Sequence, residues 1–285
     1  MVNPLVKDVK RKKEFSHLSD GFVEKYVSQF LSDNPGVKKA LEEKGYDERT
    51  TAYKKAVKEV RAKLRTAYGM FRTESREEER KRMEEYLEAP EEKKEESLQR
   101  LLDTHRSTKE RAGQYKELYE KIFSLTGTPR HVLDLGCGFN PFSYALLGCT
   151  PKYTCCDVSE EDMSLVNEFF QKTGIEGEAF VLDLEEPDNH SHLKDIDADT
   201  AFLFKLVDTL ESQRRDVTKK LVTTLMKHPT LTHLVVSFSL RSLSGRAFRQ
   251  GGKENWFTKF VEAQGLKPSQ FTLSDEEFYV IPLEE

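Results

Sequence analysis

HVLDLGCGFNP, residues 131–141, is the stretch that decides how this chain is read. Val132, Leu133 and Leu135 form a short apolar run, and Gly136 and Gly138 end it in a glycine turn. An apolar run stopped by glycine predicts a buried strand followed by a tight loop. Two glycines let the backbone turn sharply and approach a ligand closely. The pattern is not the full GxGxxG of dinucleotide sites, because Pro141 holds the third glycine position, and no GK[ST] follows to make a P-loop. On its own, the glycine pair fits an ordinary tight turn as readily as a ligand loop.

Further strands are predicted at YTCCDV (153–158), EAFVLDL (178–184), TAFLFKLV (200–207) and THLVVSF (232–238). Helical periodicity at 160–173 and 211–228 separates several of them. Segments 270–274 and 277–283 are close enough to form an antiparallel edge hairpin, which makes seven strands. Strands alternating with helices imply right-handed crossovers, so an α/β fold with a mostly parallel, Rossmann-like sheet is expected.

Upstream of Pro129 the pattern is helical. Phe22, Val23, Tyr26, Val27, Phe30 and Leu31 recur at helical spacing, as do Ala52, Tyr53, Ala56, Val57, Val60 and Leu64. Asp20 and Asp47 stand where N-caps are expected, and SDNPG (32–36) predicts a break. Residues 73–96 are almost all charged and read as a solvated helix or a mobile connector. Another helix is expected over 107–123, capped by Ser107 or Thr108 with Glu110 in a capping box. The domains expected are an N-terminal helical domain over 1–105, containing the charged segment, and a ligand-binding domain over 106–285.

Composition narrows the class. Of 285 residues, 37% are hydrophobic and 10% aromatic, enough for a core, so wholesale disorder is excluded. No apolar run is long enough to span a membrane, and MVNPLVKDVKRKKEF lacks the apolar region of a secretory signal. Cys137, Cys149, Cys155 and Cys156 make no CxxC pair and no metal spacing, so reduced thiols, no metal and a cytoplasmic location are expected. Net charge is -5 overall, yet residues 1–72 carry 17 basic against 10 acidic side chains. That asymmetry raises the question of an anionic partner, although basic helical surfaces also occur without one.

Two acids sharpen the glycine loop. Asp157 falls at the end of the second predicted strand, 21 residues after Gly136, where a carboxylate accepts from ribose hydroxyls. Asp183 ends the third, within reach of an adenine amine. Either acid alone could merely cap a turn. A DxGxG loop with acids at both following strand ends is the layout of an S-adenosyl-L-methionine site.

HRSTKER (105–111), ELYEKIF (117–123), PRHVLDLGCGFNP (129–141), FKLVDTLE (204–211) and VSFSLRSLSGR (236–246) together resemble the aminoglycoside-resistance 16S rRNA methyltransferases. Those enzymes methylate N7 of guanine 1405 in the decoding region of the 30S ribosomal subunit. The likeness runs from about 101 to 246. It departs at Gly136, where members often have Ala, and in the length of the 73–96 segment. The resemblance implies a seven-stranded Rossmann-like methyltransferase sheet. Its implied cofactor residues are His105, Ser107, Arg111, Arg130, Gly136, Gly138, Asp157, Val158, Asp183, Leu184, Lys205 and Leu206, with Arg111 meeting the methionine carboxylate. Asn140 and the loop 241–246, with Arg241 and Arg246, would meet the target nucleotide.

Absent motifs narrow the chemistry further. FLFKLVDTL has no cysteine nucleophile of the kind used at pyrimidine carbons and no (N/D)PP(Y/F) turn of exocyclic-amine enzymes. Guanine N7 has a lone pair and no proton to lose, so positioning can supply most of the catalysis. A paired guanine hides N7 in a deep groove, which implies extrusion of the base. Phosphate contacts are expected from Lys10, Arg11, Lys12, Lys13, Lys54, Lys58, Arg61 and Arg65, with Ser242 and Lys253 nearer the target. The partner expected is 16S rRNA within the 30S subunit, met by a monomer without membrane contact. Rivals are methylation elsewhere in rRNA, such as adenine N1, or a non-catalytic ribosome-binding factor.

Overall fold

Pro4–Lys10 (α1), Asp20–Asp33 (α2), Pro35–Glu43 (α3) and Thr51–Leu64 (α4) are helices. They bury Phe15, Phe22, Tyr26, Phe30, Tyr53, Val60 and their neighbours in one apolar cluster, and the helical-spacing residues are the ones buried. The N-caps are Ser19 and Thr50, whose hydroxyls accept from the Phe22 and Tyr53 amides at 3.2 and 3.3 Å, rather than Asp20 and Asp47. Asp47 instead accepts from the Arg49 amide inside the preceding turn. The break at SDNPG occurs as expected: Asn34 ends α2 by donating to the Phe30 carbonyl at 2.9 Å, and Pro35 opens α3.

The computed structural model describes residues 3–16, 18–65, 73–213, 216–240 and 254–283. By contact, the chain divides into Met1–Arg72 with Val158–Glu161, and Thr73–Asp157 with Asp162–Glu285. The division after Arg72 differs from the 105 boundary drawn from the sequence. Arg76–Glu88 (α5) and Glu91–Leu102 (α6) bury Met83, Tyr86, Leu98 and Leu101 in the same cluster as Phe139, Phe142 and Phe169. The charges of this segment are also partnered: Arg76 pairs with Asp162, and Arg80 with Glu168 at 2.6 Å. The segment is helical with most of its charges exposed, as the solvated-helix reading expects, and a few buried apolar side chains anchor it rather than leaving it a connector.

Arg106–Arg111 (α7) and Tyr115–Thr126 (α8) replace the single helix expected over 107–123, with a 3-10 turn between them. The cap position falls on His105, and Thr108 turns inward to donate to the His105 carbonyl at 2.8 Å. The strands are His131–Leu135 (β1), Lys152–Asp157 (β2), Gly177–Val181 (β3), Thr200–Phe204 (β4), His233–Ser239 (β5), Ser269–Leu273 (β6) and Glu276–Pro282 (β7). They form one seven-stranded sheet in the order β3-β2-β1-β4-β5-β7-β6. β1 to β5 are parallel, whereas β7 runs antiparallel to β5 and β6.

Alternation along β1 puts Val132 and Asp134 on one face and Leu133 and Leu135 on the other. The first face packs with Tyr115, Tyr119 and Phe169; the second packs with Leu206, Leu221 and Phe257. Those come from α8 and from Glu160–Thr173 (α9) on one side, and from Leu206–Gln213 (α10), Val217–Met226 (α11) and Glu254–Glu262 (α12) on the other. The helix expected over 211–228 is therefore two, broken where Asp216 takes φ +62°. β4 stops at Phe204 rather than running to 207 because Lys205 takes φ +55°.

Candidate active site

Strand order reverses between β1 and β4, and in open α/β sheets the crevice beyond the strand ends at such a reversal receives the ligand. Gly136 and Gly138 lie there with φ of +63° and +49°. A Cβ on Gly136 would stand 2.6 Å from Leu206 Cδ1, and one on Gly138 would stand 3.1 Å from His105 Cε1. The loop is stitched to β2 twice: Gly138 N–H donates to Asp157 Oδ2 at 2.9 Å, and Cys137 N–H to the Cys156 carbonyl at 3.0 Å. His105 is itself held by Ser107, with Nδ1 and Oγ 2.9 Å apart. Asp183 follows β3, where its carboxylate accepts from the Glu185 amide at 3.0 Å. Leu184 is buried with Leu135, Cys156 and Leu206 in the apolar cluster under the loop.

Below the loop lies a polar network that sequence reading misassigned in part. Asn140 is 2% exposed, donates to Asp134 Oδ2 at 2.9 Å and accepts from the Tyr115 hydroxyl at 2.9 Å. Its amide is consumed by the core, so it anchors the loop instead of facing a target nucleotide. Asp134 Oδ2 also accepts from the Tyr153 hydroxyl at 2.7 Å, while Asp134 Oδ1 is buried without a partner. Burial raises the Asp134 carboxyl to about 6, against the opposing pull of the Asn140 and Tyr153 hydrogen bonds. Burial likewise pushes the Tyr115 hydroxyl up to about 12, so it stays a neutral donor.

Arg111 is buried and forms a bidentate pair with Glu276 at the start of β7: Nε to Oε2 is 2.9 Å and Nη2 to Oε1 is 2.7 Å. Its guanidinium lies 4.9 Å from the centre of the Phe204 ring. Lys205 Nζ reaches Glu110 at 2.6 Å and Glu276 at 3.3 Å, and Glu110 accepts from Arg106 at 3.0 Å. Burial lifts the Glu276 carboxyl, but the charges of Arg111 and Lys205 outweigh it and hold the group below its ordinary value. Sequence reading assigned Glu110 only a capping-box role and did not single out Glu276. Glu110 had a signal in its place within HRSTKER; Glu276 had none, since its partner Arg111 is 165 residues away.

Other assignments are not brought to this crevice. Arg130 precedes β1, at the opposite end of the strand from Gly136, and pairs with Asp199 at 3.4 Å with its side chain 72% exposed. Val158 belongs with the helical unit and packs against its apolar cluster. Arg241, Ser242, Arg246 and Lys253 lie outside the described residues. Cys155 and Cys156 are fully buried, and burial pushes both thiols up, so neither offers a thiolate. Among the described residues no cluster of metal-ligating side chains occurs, and no helix is long and apolar enough to cross a membrane.

The basic face of the helical unit resolves into two kinds of residue. Lys13, Lys54 and Lys58 are exposed and make no ion pair among the described residues. Lys54 and Lys58 line a cleft of about 400 Å³ with Lys12, Arg65, Asp8 and Glu48. The others are engaged: Lys10 with Asp20, Lys12 with Glu14 at 3.8 Å, Arg11 with Asp8 and Glu48 at 2.7 and 3.1 Å, and Arg65 with Glu14 at 2.6 Å. Arg61 donates to the Val9 carbonyl at 3.3 Å and to that of Asp8, closing the end of α1.

A seven-stranded sheet with an antiparallel seventh strand and a glycine turn after β1 defines a Rossmann-like methyltransferase fold. Residues 37–281 match the family described as ribosomal RNA methyltransferase (FmrO), and the chain belongs to that family. It is 29% identical over 225 residues to the 16S rRNA (guanine(1405)-N(7))-methyltransferase of Proteus mirabilis, covering 73% of this chain and 75% of that one. A protein of the same description from Frankia casuarinae is 28% identical over 194 residues, 65% of this chain and 63% of its own length. Among solved structures, the 16S rRNA methyltransferase RmtF in complex with S-adenosyl-L-homocysteine superposes with a TM-score of 0.74 at 26% identity, covering 98% of this chain and 96% of that one. The 16S rRNA methylase RmtB shares the fold, with a TM-score of 0.72 at 20% identity over 99% and 98% of the two chains.

Proposed function

We propose that this protein transfers a methyl group from S-adenosyl-L-methionine to N7 of a guanine in 16S rRNA, at position 1405 within the 30S subunit, and so confers aminoglycoside resistance. The observation that carries the reading is the cradle at the strand reversal: two glycines with left-handed backbone packed against Leu206 and His105, flanked by Asp157 and underlain by an orphaned Asp134 oxygen. These residues fit the cofactor. Asp157 would accept from ribose hydroxyls, Asp183 from the adenine amine, and Asp134 Oδ1 from the ammonium of the methionine end; Arg111 would meet its carboxylate. Bound there, the cofactor supplies an electrophilic methyl group on a sulfonium.

The protein's own contribution is then placement. N7 carries no proton, so no general base is required; Lys205 is tied to two carboxylates and the Tyr115 hydroxyl stays protonated, so neither is placed to act as one. Phosphate contacts by Lys54 and Lys58 would fix the register of the RNA without reading its sequence. The family match and the cleft with unpaired lysines support this assignment of the helical unit.

The test is incubation with radiolabelled S-adenosyl-L-methionine and either 30S subunits or free 16S rRNA, followed by borohydride and aniline cleavage and primer extension. A stop at guanine 1405, obtained with 30S subunits, is the expected result. Label at an adenine or at another guanine would overturn the target while keeping the enzyme class. Cofactor binding without label on any ribosomal substrate would favour a non-catalytic binding factor.

A further inference from the structure

Glu276 stands on no sequence motif, yet it joins four elements. Its two oxygens receive the Arg111 fork from α7, the Lys205 ammonium from the β4–α10 turn, and the Ser237 hydroxyl from β5. Three hydrogen-bond donors and one ammonium in ion-pair contact surround this carboxylate, and the residue is 4% exposed. Ser237 serves twice, because its Oγ also accepts from the Lys205 amide at 3.0 Å, beside a 3.2 Å bond from that amide to the Ser237 carbonyl. Those bonds hold Lys205 at φ +55°, a conformation that a residue with a Cβ adopts only when its surroundings impose it.

The consequence for Arg111 is directional. A guanidinium has two edges able to grip a carboxylate, and Glu276 occupies the Nε–Nη2 edge. Only the Nη1–Nη2 edge is left to meet a ligand. A freely rotating arginine would present either edge, whereas one clamped by a buried carboxylate and stacked at 4.9 Å on Phe204 presents one edge in one plane.

We propose that Glu276 is a positioning residue for the amino-acid end of the cofactor: it orients Arg111 and, with Ser237, fixes Lys205, so that the methionine carboxylate is received in one geometry. This rests on the cofactor reading given above, and it assigns to Glu276 no contact with adenosine or with RNA. Loss of its charge should therefore weaken ligands that carry the amino-acid end and spare those that lack it.

The experiment is isothermal titration of the full chain with S-adenosyl-L-homocysteine and with 5′-methylthioadenosine, which keeps the adenosine and sulfur but has no carboxylate. Glu276→Gln keeps the side-chain shape, removes the charge and turns an amide N–H2 toward donors. The expected result is a tenfold or greater rise in Kd for S-adenosyl-L-homocysteine with methylthioadenosine unchanged within twofold. Arg111→Met should lose the same selectivity, and adding Glu276→Gln to it should change Kd less than twofold, as expected if Glu276 acts through Arg111. Equal losses for both ligands, or no loss for either, would overturn the positioning role and leave the cofactor reading intact. Failure of the unaltered protein to bind either ligand would overturn the cofactor reading itself. If Glu276→Gln does not fold by circular dichroism, Ser237→Ala replaces it: it removes one donor without uncovering a charge, and a severalfold loss confined to S-adenosyl-L-homocysteine is expected. An unchanged ratio of the two affinities in that variant would also refute the proposal.

Discussion

Asp134→Asn should make the sheet unit more stable and its ligand binding worse. The Asp134 carboxyl is raised from its ordinary 3.8 to about 6, with burial as the main cause. A rise of that size corresponds to roughly 3 kcal/mol. The sign follows from which state holds the proton. A carboxyl with a folded-state pKa above its unfolded value contributes stability that is complete below 3.8 and is lost as pH climbs through about 6. At neutral pH the wild type therefore carries an ionised carboxylate with one oxygen unpartnered. Asparagine stays neutral, and its carbonyl can still accept from Asn140 and Tyr153. The stability gap between variant and wild type should widen by roughly 1–1.5 kcal/mol between pH 5 and pH 7.5. Trp256, the only tryptophan, lies in α12 of the sheet unit, so its fluorescence during urea unfolding follows the right transition. An equal gap at both pH values, or a wild type that is the more stable at pH 7.5, would refute the reasoning. In the same variant, calorimetry should find S-adenosyl-L-homocysteine bound at least tenfold more weakly, because a donor replaces the oxygen assigned to the ligand's ammonium.

Gly136→Ala should cost about 1–3 kcal/mol, combining a left-handed backbone with a 2.6 Å approach to Leu206, whereas Gly148→Ala, at φ +72° with open space around it, should cost only about 1 kcal/mol. Thermal melting of both variants measures the difference, and equal losses would place the whole cost in the backbone. Asp157→Ala should weaken S-adenosyl-L-homocysteine binding and destabilise the loop by about 1–3 kcal/mol through the unpaired Gly138 N–H, while Asp157→Asn, which keeps an acceptor there, should retain the loop's stability. Lys54→Glu with Lys58→Glu should leave the melting temperature unchanged, weaken 30S binding and flatten its salt dependence; an unaltered salt slope would exclude both lysines from the RNA contact. Arg61→Glu, by contrast, should lower the melting temperature, because Arg61 closes the end of α1.

What the sequence made legible was whatever repeats locally. Short apolar runs between turns and helical segments exposed the seven strands, and helical spacing exposed the buried face of α2 and α4. The glycine turn was legible because left-handed backbone at a strand end leaves few other residues eligible. Errors arose where a residue's role is set by a distant neighbour. Asn140 reads as an exposed loop amide until Asp134 and Tyr115 are brought around it. Arg130 sits next to the decisive motif in sequence, but a five-residue strand carries it roughly 16 Å from the loop. Arg61 and Arg65 share a helical face with Lys54 and Lys58, and periodicity cannot say that the first pair is taken by α1 carbonyls and Glu14. Counting charge over 73–96 likewise hid Met83 and Tyr86, which decide where that segment packs.

Three of the stretches that carry the family resemblance, HRSTKER, DLGCGFNP and FKLVDTLE, are separate in sequence and come together in the fold, while RSLSGR lies outside the described residues. HRSTKER supplies His105, which lies against Gly138, and Arg111, which pairs with Glu276; DLGCGFNP supplies the loop and, through Asn140, its attachment to Asp134; FKLVDTLE supplies Lys205, paired with the same Glu276, and Leu206, which lies against Gly136. Tyr115 and Glu276 connect them. Tyr115 donates to Asn140 on one side of Arg111, and Glu276 clamps Arg111 to Lys205 on the other. Two unfavourable features sit inside this arrangement, an unpartnered carboxylate oxygen at Asp134 and a left-handed lysine at 205. Both lie at the reversal of strand order, where a ligand carrying an ammonium and a carboxylate would meet them. Relieving either in the absence of ligand, by Asp134→Asn or Lys205→Gly, is expected to stabilise the fold, and thermal melting of the two variants checks it.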